Sequence, residues 1–129
     1  MQRIFIIDDD ELYQLVLKRT IKKLKNEVEI TSYWNGEEAL DAFVNIFMGG
    51  GELPTVVFLD INMPVLDGWQ FLEGLGKIKP DIQNKLSLYL ISTSLDVADK
   101  QKAMHSNMIK QFLTKPLSKE TLEAILQRD

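Results

Sequence analysis

The chain has 129 residues, 45% of them hydrophobic and 26% charged, with a net charge of -4 and no cysteine. This is the length and composition of one soluble domain with a real core, and its charge disfavours nonspecific attraction to nucleic acid or to a membrane. Without thiols it has neither a disulfide framework nor a thiolate metal site, and with no apolar run near the roughly 20 residues of a membrane span and no secretory leader, the expected location is cytoplasmic.

Short aliphatic runs alternate with longer stretches of helical period. Ile4 to Ile7 predicts a first strand, and Glu11 to Lys25 a helix with Tyr13, Val16, Leu17, Ile21 and Leu24 on one face. Asp9 or Asp10 is placed to cap that helix. Val28 to Tyr33 is the second strand. Asn35-Gly36 opens a helix whose apolar stripe is Ala39, Leu40, Phe43, Val44 and Phe47, and Gly49-Gly50-Gly51 ends it.

Thr55 to Leu59 forms strand three. A turn through Met63-Pro64 and Asp67-Gly68 leads into a helix bearing Phe71, Leu72, Leu75 and Ile78, which Gly74 and Gly76 should weaken by about 1 kcal/mol each. Leu86 to Ile91 is strand four, an almost continuous apolar run of the kind covered on both faces. Asp96 to His105 is a polar, weakly patterned helix. Ile109 to Thr114 gives strand five, and Ser118 to Gln127 a last helix with Leu122, Ile125 and Leu126 inward. Five βα units joined by short connections predict an α/β fold, a parallel sheet with helices on both faces, in a single domain over residues 1–129.

Charge follows directly on several of these apolar runs. Asp8 and Asp9 end strand one, Asp60 ends strand three, Ser92 and Thr93 end strand four, and Lys115 ends strand five. In a parallel sheet those ends share one edge, where such folds collect ligands. Crowded carboxylates repel unless a cation neutralises them, and an all-oxygen set selects a hard ion such as Mg²⁺. A lysine and a hydroxyl beside that ion would donate to a phosphoryl group, so the edge reads as a site of phosphoryl transfer to a carboxylate. Taken singly, Asp8 to Asp10 would be capping acids, Asp60 a turn residue and Lys115 a solvated charge. Their convergence from independent strand ends favours a site.

The order and spacing of the acidic pair, of Leu59-Asp60-Ile61-Asn62-Met63-Pro64 with Asp67-Gly68, of the hydroxyl after strand four and of Lys115-Pro116 resembles the receiver domain of two-component response regulators, over essentially the whole chain. The resemblance implies a doubly wound, flavodoxin-like (βα)5 fold with Asp60 as phosphoacceptor. It implies Mg²⁺ held by Asp8, Asp9, Asp60 and the Asn62 main-chain carbonyl, and Lys115 on the phosphoryl oxygens. It makes Ser92 the hydroxyl that turns toward the phosphoryl group and Phe112 the aromatic that moves inward with it. It also implies a cis Lys115–Pro116 bond, which the small energy gap of X-Pro bonds allows.

Departures from the family pattern bear on kinetics. Ser92 stands where threonine is commoner, Thr93 where a smaller residue is frequent, and Phe112 lacks a tyrosine's hydroxyl. Asn62, Thr93 and Ser94 are therefore candidates for tuning the lifetime of the phosphorylated form, and the Ser92-Thr93-Ser94 run leaves open which hydroxyl serves the switch.

The resemblance implies partners as well. The one histidine, His105, lies in a polar segment and reads as a surface residue. The phosphohistidine donor is then another protein, a sensor histidine kinase or a histidine phosphotransfer protein. Past Pro116 the sequence holds one helix, so a stand-alone receiver without an output domain is the expectation, with a fragment of a larger regulator as the alternative. Signal would leave by contact through helix four, strand five and helix five, to a downstream protein or a homodimer formed on phosphorylation, with no nucleic acid or membrane involved. Trp34 and Trp69 read as packing or contact residues.

Two other classes compete. A phosphatase of the haloacid dehalogenase type also uses Mg²⁺ and an aspartyl nucleophile, but it carries Asp-x-Asp near its first strand, whereas here Asn62 follows Asp60 on the third. A flavodoxin-like cofactor binder needs a phosphate-cradling loop after strand one, where this chain puts acids. On this reading the protein is a signalling switch, catalysing only its own phosphorylation and dephosphorylation, and is not an enzyme in the metabolic sense.

Overall fold

Every strand of this protein has apolar side chains on both faces, so the sheet must be covered twice. The computed structural model describes residues 1–93 and 96–128. In chain order the elements are β1 (Gln2–Ile7), α1 (Glu11–Leu24), β2 (Val28–Tyr33), α2 (Gly36–Phe47), β3 (Val56–Asp60), α3 (Gly68–Ile78), a 3₁₀ turn (Ile82–Asn84), β4 (Ser87–Ser92), α4 (Val97–Met104), β5 (Gln111–Thr114) and α5 (Lys119–Arg128). The five strands form one parallel sheet in the order β2-β1-β3-β4-β5. None of the described helices is long and apolar enough to cross a membrane.

The period-two alternation of the strands divides the core. Phe5, Ile7, Val57, Leu59, Leu88 and Leu90 pack with Ala39 and Phe43 of α2, Phe71 and Leu75 of α3 and Ala103 of α4. Ile4, Ile6, Val56, Phe58, Tyr89 and Ile91 pack on the other face with Leu17 and Ile21 of α1 and Leu122, Ile125 and Leu126 of α5. The three central strands, β1, β3 and β4, are thereby covered on both sides, which explains their near-continuous apolar sequences.

Caps set where the helices start. Asp10, not Asp9, caps α1, accepting from the Tyr13 N–H at 3.1 Å. Asn35 accepts from Glu38 N–H at 2.8 Å, Asp67 and Gln70 form a reciprocal capping box, and Asp96 accepts from Ala98 N–H at 2.8 Å. Asp9 is left free of that duty at the site.

The structure departs from the sequence-based elements in small ways. Strand β3 begins at Val56 and runs through Asp60, β4 runs from Ser87 through Ser92, and β5 begins at Gln111 instead of Ile109. Val16, expected on the buried face of α1, is 52% exposed, while Gln14 is buried. The chain prefers Gln14 inward because its amide has carbonyls to bind there. Ile78 is also exposed, at the end of α3.

Gly74 and Gly76 do not break α3. A Cβ at Gly74 would lie 2.8 Å from Leu40 Cδ2, so this glycine lets α2 and α3 approach closely. At Gly76 a Cβ would meet only the flexible Met108 side chain, at 3.4 Å from Sδ. Gly76→Ala is therefore expected to stabilise the protein by about 0.5–1 kcal/mol through helix propensity. Thermal unfolding followed by circular dichroism checks this, with a rise in midpoint of a few degrees expected.

Candidate functional site

Sheet register assembles the site. Ile7 pairs with Leu59, so Asp8 and Asp60, each one residue further on, emerge side by side. Asp60 itself pairs with Ile91, and Ser92 with Thr114, which brings the hydroxyl and Lys115 to the same edge. Asp8, Asp9 and Asp60 each bring a carboxylate oxygen to within 4.8 Å of the others. Asp8 is fully buried, Asp60 is 4% exposed and Asp9 lies open to solvent.

Lys115 Nζ sits 2.7 Å from Asp8 Oδ2 and 3.7 Å from Asp60 Oδ2, with its side chain almost entirely covered. The lysine main chain is tied to strand β4, its N–H donating to the Ser92 carbonyl at 2.8 Å, and the bond to Pro116 is cis. Burial, and after it the charge of Asp8, pushes the Asp60 carboxyl up to about 7, against the opposing pull of Lys115 and of the Asn62 main-chain N–H that hydrogen-bonds to it. Three carboxylates facing one cation leave the cluster short of positive charge. A set of oxygen donors without His or Cys suits a hard divalent ion better than a transition metal.

The loop after Asp60 is held rigidly. Ile61 N–H donates to Ile91 O at 3.2 Å, and Gly68 N–H returns to Ile61 O at 2.8 Å. Only glycine fits at position 68, since a Cβ would fall 2.8 Å from Asp60 O and 2.9 Å from Ile61 Cα. Between these anchors Leu66 N–H bonds Pro64 O at 2.8 Å, which forces Val65 to a φ of 71°. A β-branched residue in that region stores strain of about 1–3 kcal/mol, and the anchors on either side hold it in place.

Ser92 is buried at the end of β4, Thr93 is exposed, and Ser94 lies outside the described residues. Phe112 is half-buried on β5 and lines a shallow groove with Ala103, Met104, Ile109 and Lys110. His105 is exposed at the end of α4, its ring Nδ1 2.7 Å from Gln101 O. Trp69 bridges two helices, its Nε1–H donating to Asp99 at 3.1 Å and its ring lying under Lys102 at 4.6 Å.

Two residues beside the cluster escaped the sequence reading. Gln14 Nε2 donates to the carbonyls of Ile6, Asp8 and Tyr33 at 3.0–3.1 Å, and Asp8 N–H donates to Tyr33 O at 3.0 Å. Gln14 therefore clamps the ends of β1 and β2 beneath Asp8. A polar residue three and seven positions before Leu17 and Ile21 was the available signal. Tyr13 counted only as an apolar-face residue, yet Lys115 Nζ lies 4.6 Å from its ring centroid.

Comparison with known proteins identifies the family and the fold. The family model for the response regulator receiver domain matches residues 4–127. The probable methanogenesis regulatory protein FilR2 of Methanothrix harundinacea is 27% identical over 125 residues, covering 96% of this chain and 78% of that protein. The sensor histidine kinase CheAY of Helicobacter pylori is 26% identical, but its match, 97% of this chain, spans only 14% of that protein. Among solved structures, a two-component response regulator from Cytophaga hutchinsonii superposes with a TM-score of 0.85 at 30% identity, covering 99% of this chain and 96% of that one.

Proposed function

The chain belongs to the response regulator receiver family and is a receiver of two-component signalling; from that premise we propose that Asp60 is its phosphoacceptor, that Asp8, Asp9, Asp60 and the Asn62 carbonyl hold Mg²⁺, and that Lys115 and Ser92 receive the phosphoryl oxygens. One observation carries this reading: carboxylate oxygens of Asp8, Asp9 and Asp60 within 4.8 Å of one another, with a buried lysine ammonium 2.7 Å from one and 3.7 Å from another.

The chemistry follows from the charges. A carboxyl with its pKa at about 7 is partly protonated near neutrality, and only the ionised form is a nucleophile. A divalent ion held by Asp8, Asp9 and Asp60 would supply positive charge that favours ionised Asp60 and offsets the negative charge of an incoming phosphoryl group. An Asp60 oxygen then attacks phosphorus in line with the bond to the donor nitrogen. That bond breaks, its electron pair leaves with the imidazole of the partner histidine, and the acyl phosphate remains on Asp60. Lys115, already beside the Asp60 carboxylate, neutralises the oxygens that gather charge.

The donor in this reading is the phosphohistidine of a kinase or phosphotransfer protein. The response travels through Ser92, whose hydroxyl turns toward the phosphoryl group, and Phe112, which follows it inward. Asn62, Thr93 and Ser94 tune the lifetime of the phosphorylated form. Since β4 joins Ser92 to the Phe112 groove, the added charge of roughly -1.5 to -2 biases the α4-β5-α5 face. In this reading that face passes the signal by protein contact, with a homodimer as one form of it.

Intact mass after incubation with Mg²⁺ and acetyl phosphate tests the reading. One labile phosphoryl group is expected, absent after chelation and absent in Asp60→Asn. An adduct that survives in Asp60→Asn, or a parent that takes up neither phosphoryl nor beryllofluoride, would overturn it.

A further inference from the structure

Lys115 has a neighbour besides the acids. Tyr13, in the first turn of α1, places its ring face 4.6 Å from Lys115 Nζ, and its hydroxyl accepts the Leu117 N–H at 3.4 Å. The same residue thus touches the lysine and the loop that follows the cis Pro116. Its own position is fixed, because its N–H is spent on the Asp10 cap at 3.1 Å and its side chain packs against the core on the α1 and α5 face. Burial pushes its phenol up to about 12, so the ring stays neutral over the working range.

We propose that Tyr13 is a positioning residue for Lys115, its aromatic face holding the ammonium beside Asp8 and Asp60 while its hydroxyl fixes the Leu117 loop. This rests on the phosphoacceptor reading of the site. Asp8 attracts the ammonium at 2.7 Å and Asp60 at 3.7 Å, and a metal engaged by these carboxylates would weaken both attractions. The ring supplies a second attraction that does not depend on the carboxylates being unoccupied. Lys115 then keeps its place near Asp60 through the transfer, which removes an ordering step from the reaction. An aliphatic residue would fill the volume but exert no pull on the cation.

Two readouts test this, in Tyr13→Leu, Tyr13→Met and Tyr13→Phe, with thermal unfolding as a check on folding. The first is the rate at which a small amine-directed reagent acylates Lys115, followed by peptide mass spectrometry. It should rise about threefold or more in Leu and Met and stay near the parental rate in Phe. The second is the phosphorylation rate with acetyl phosphate, expected to fall about tenfold in Leu and Met and at most about twofold in Phe. In a Lys115→Ala background Tyr13→Leu should cost nothing further, because the lysine it positions is gone. Parental labelling and rate in the Leu and Met variants, a Phe variant as impaired as Leu, or a defect that persists in Lys115→Ala would each overturn the proposal. Acylation of Lys115 needs no phosphoryl transfer, so a parent that is never phosphorylated would defeat the reading of Asp60 while the labelling still decides the role of Tyr13.

Discussion

Lys115→Ala should slow phosphorylation of the protein by acetyl phosphate about 10²- to 10³-fold, the range seen when one preorganised donor to a transition-state oxygen is removed. The same change should destabilise the metal-free protein. Lys115 Nζ is the cation held against both Asp8 and Asp60, and its side chain is almost fully covered. Taking away one partner of a buried ion pair leaves the other uncompensated, at about 3–5 kcal/mol in fully buried cases. Here about 2 kcal/mol is expected near neutral pH, less than the full figure because Asp60, already at about 7, takes up a proton in place of the lost cation. Millimolar Mg²⁺ should recover most of that stability and little of the rate, since it can neutralise the carboxylates but cannot donate from the lysine's position. Denaturant titrations with and without Mg²⁺, beside time courses of intact mass, separate the two effects. A variant that phosphorylates at the parental rate would remove Lys115 from the mechanism.

The second large effect concerns Asp60 and pH. Its folded value of about 7 stands above the ordinary 3.8, so between those values the folded protein binds more protons than the unfolded chain. Stability therefore falls as pH rises through this window. The contribution is fully present below about pH 4 and is lost by about pH 8. Full conversion of the shift would give about 4 kcal/mol; with solvent screening and the sharing of charge among Asp8, Asp60 and Lys115, about 2 kcal/mol is expected. Asp60→Asn removes the titration, so in chelator the variant should exceed the parent at pH 8 by about that amount and match it near pH 4. Added Mg²⁺ should stabilise the parent at pH 8 and leave the variant nearly unmoved. Urea midpoints across the pH range measure this directly. An Asp60→Asn protein no more stable than the parent at pH 8 would show that the carboxylate is not strained by its neighbours.

Much of this protein was determined by its sequence. The strand runs, helix periods and caps are local properties, and residues such as Ile4 to Ile7 or Leu88 to Ile91 have apolar side chains on both faces, as a strand covered on both sides requires. Because strand ends in such a sheet share an edge, Asp8, Asp60, Ser92 and Lys115 could be brought to one place on paper. Element limits slipped by a residue or two where strand pairing, a nonlocal interaction, extended β3 to Asp60 and β4 to Ser92.

Tertiary structure decided what depends on neighbours from distant parts of the chain. Helical period marked Val16 as buried and set Gln14 on the face of Leu17 and Ile21 without showing what its amide would bind; three carbonyls gathered at the ends of β1 and β2 decided that Gln14 goes inward. Gly74 looked like a weakness of α3 until Leu40 of α2 was set against it. Asp60 acquires its raised pKa only from burial and from Asp8, some fifty residues away in sequence, an electrostatic consequence of register that no local pattern encodes. Tyr13 likewise fits its helix as one more apolar residue, and only the return of β5 to the same sheet edge sets its ring against Lys115, because a cation and an aromatic face attract when folding brings them within reach.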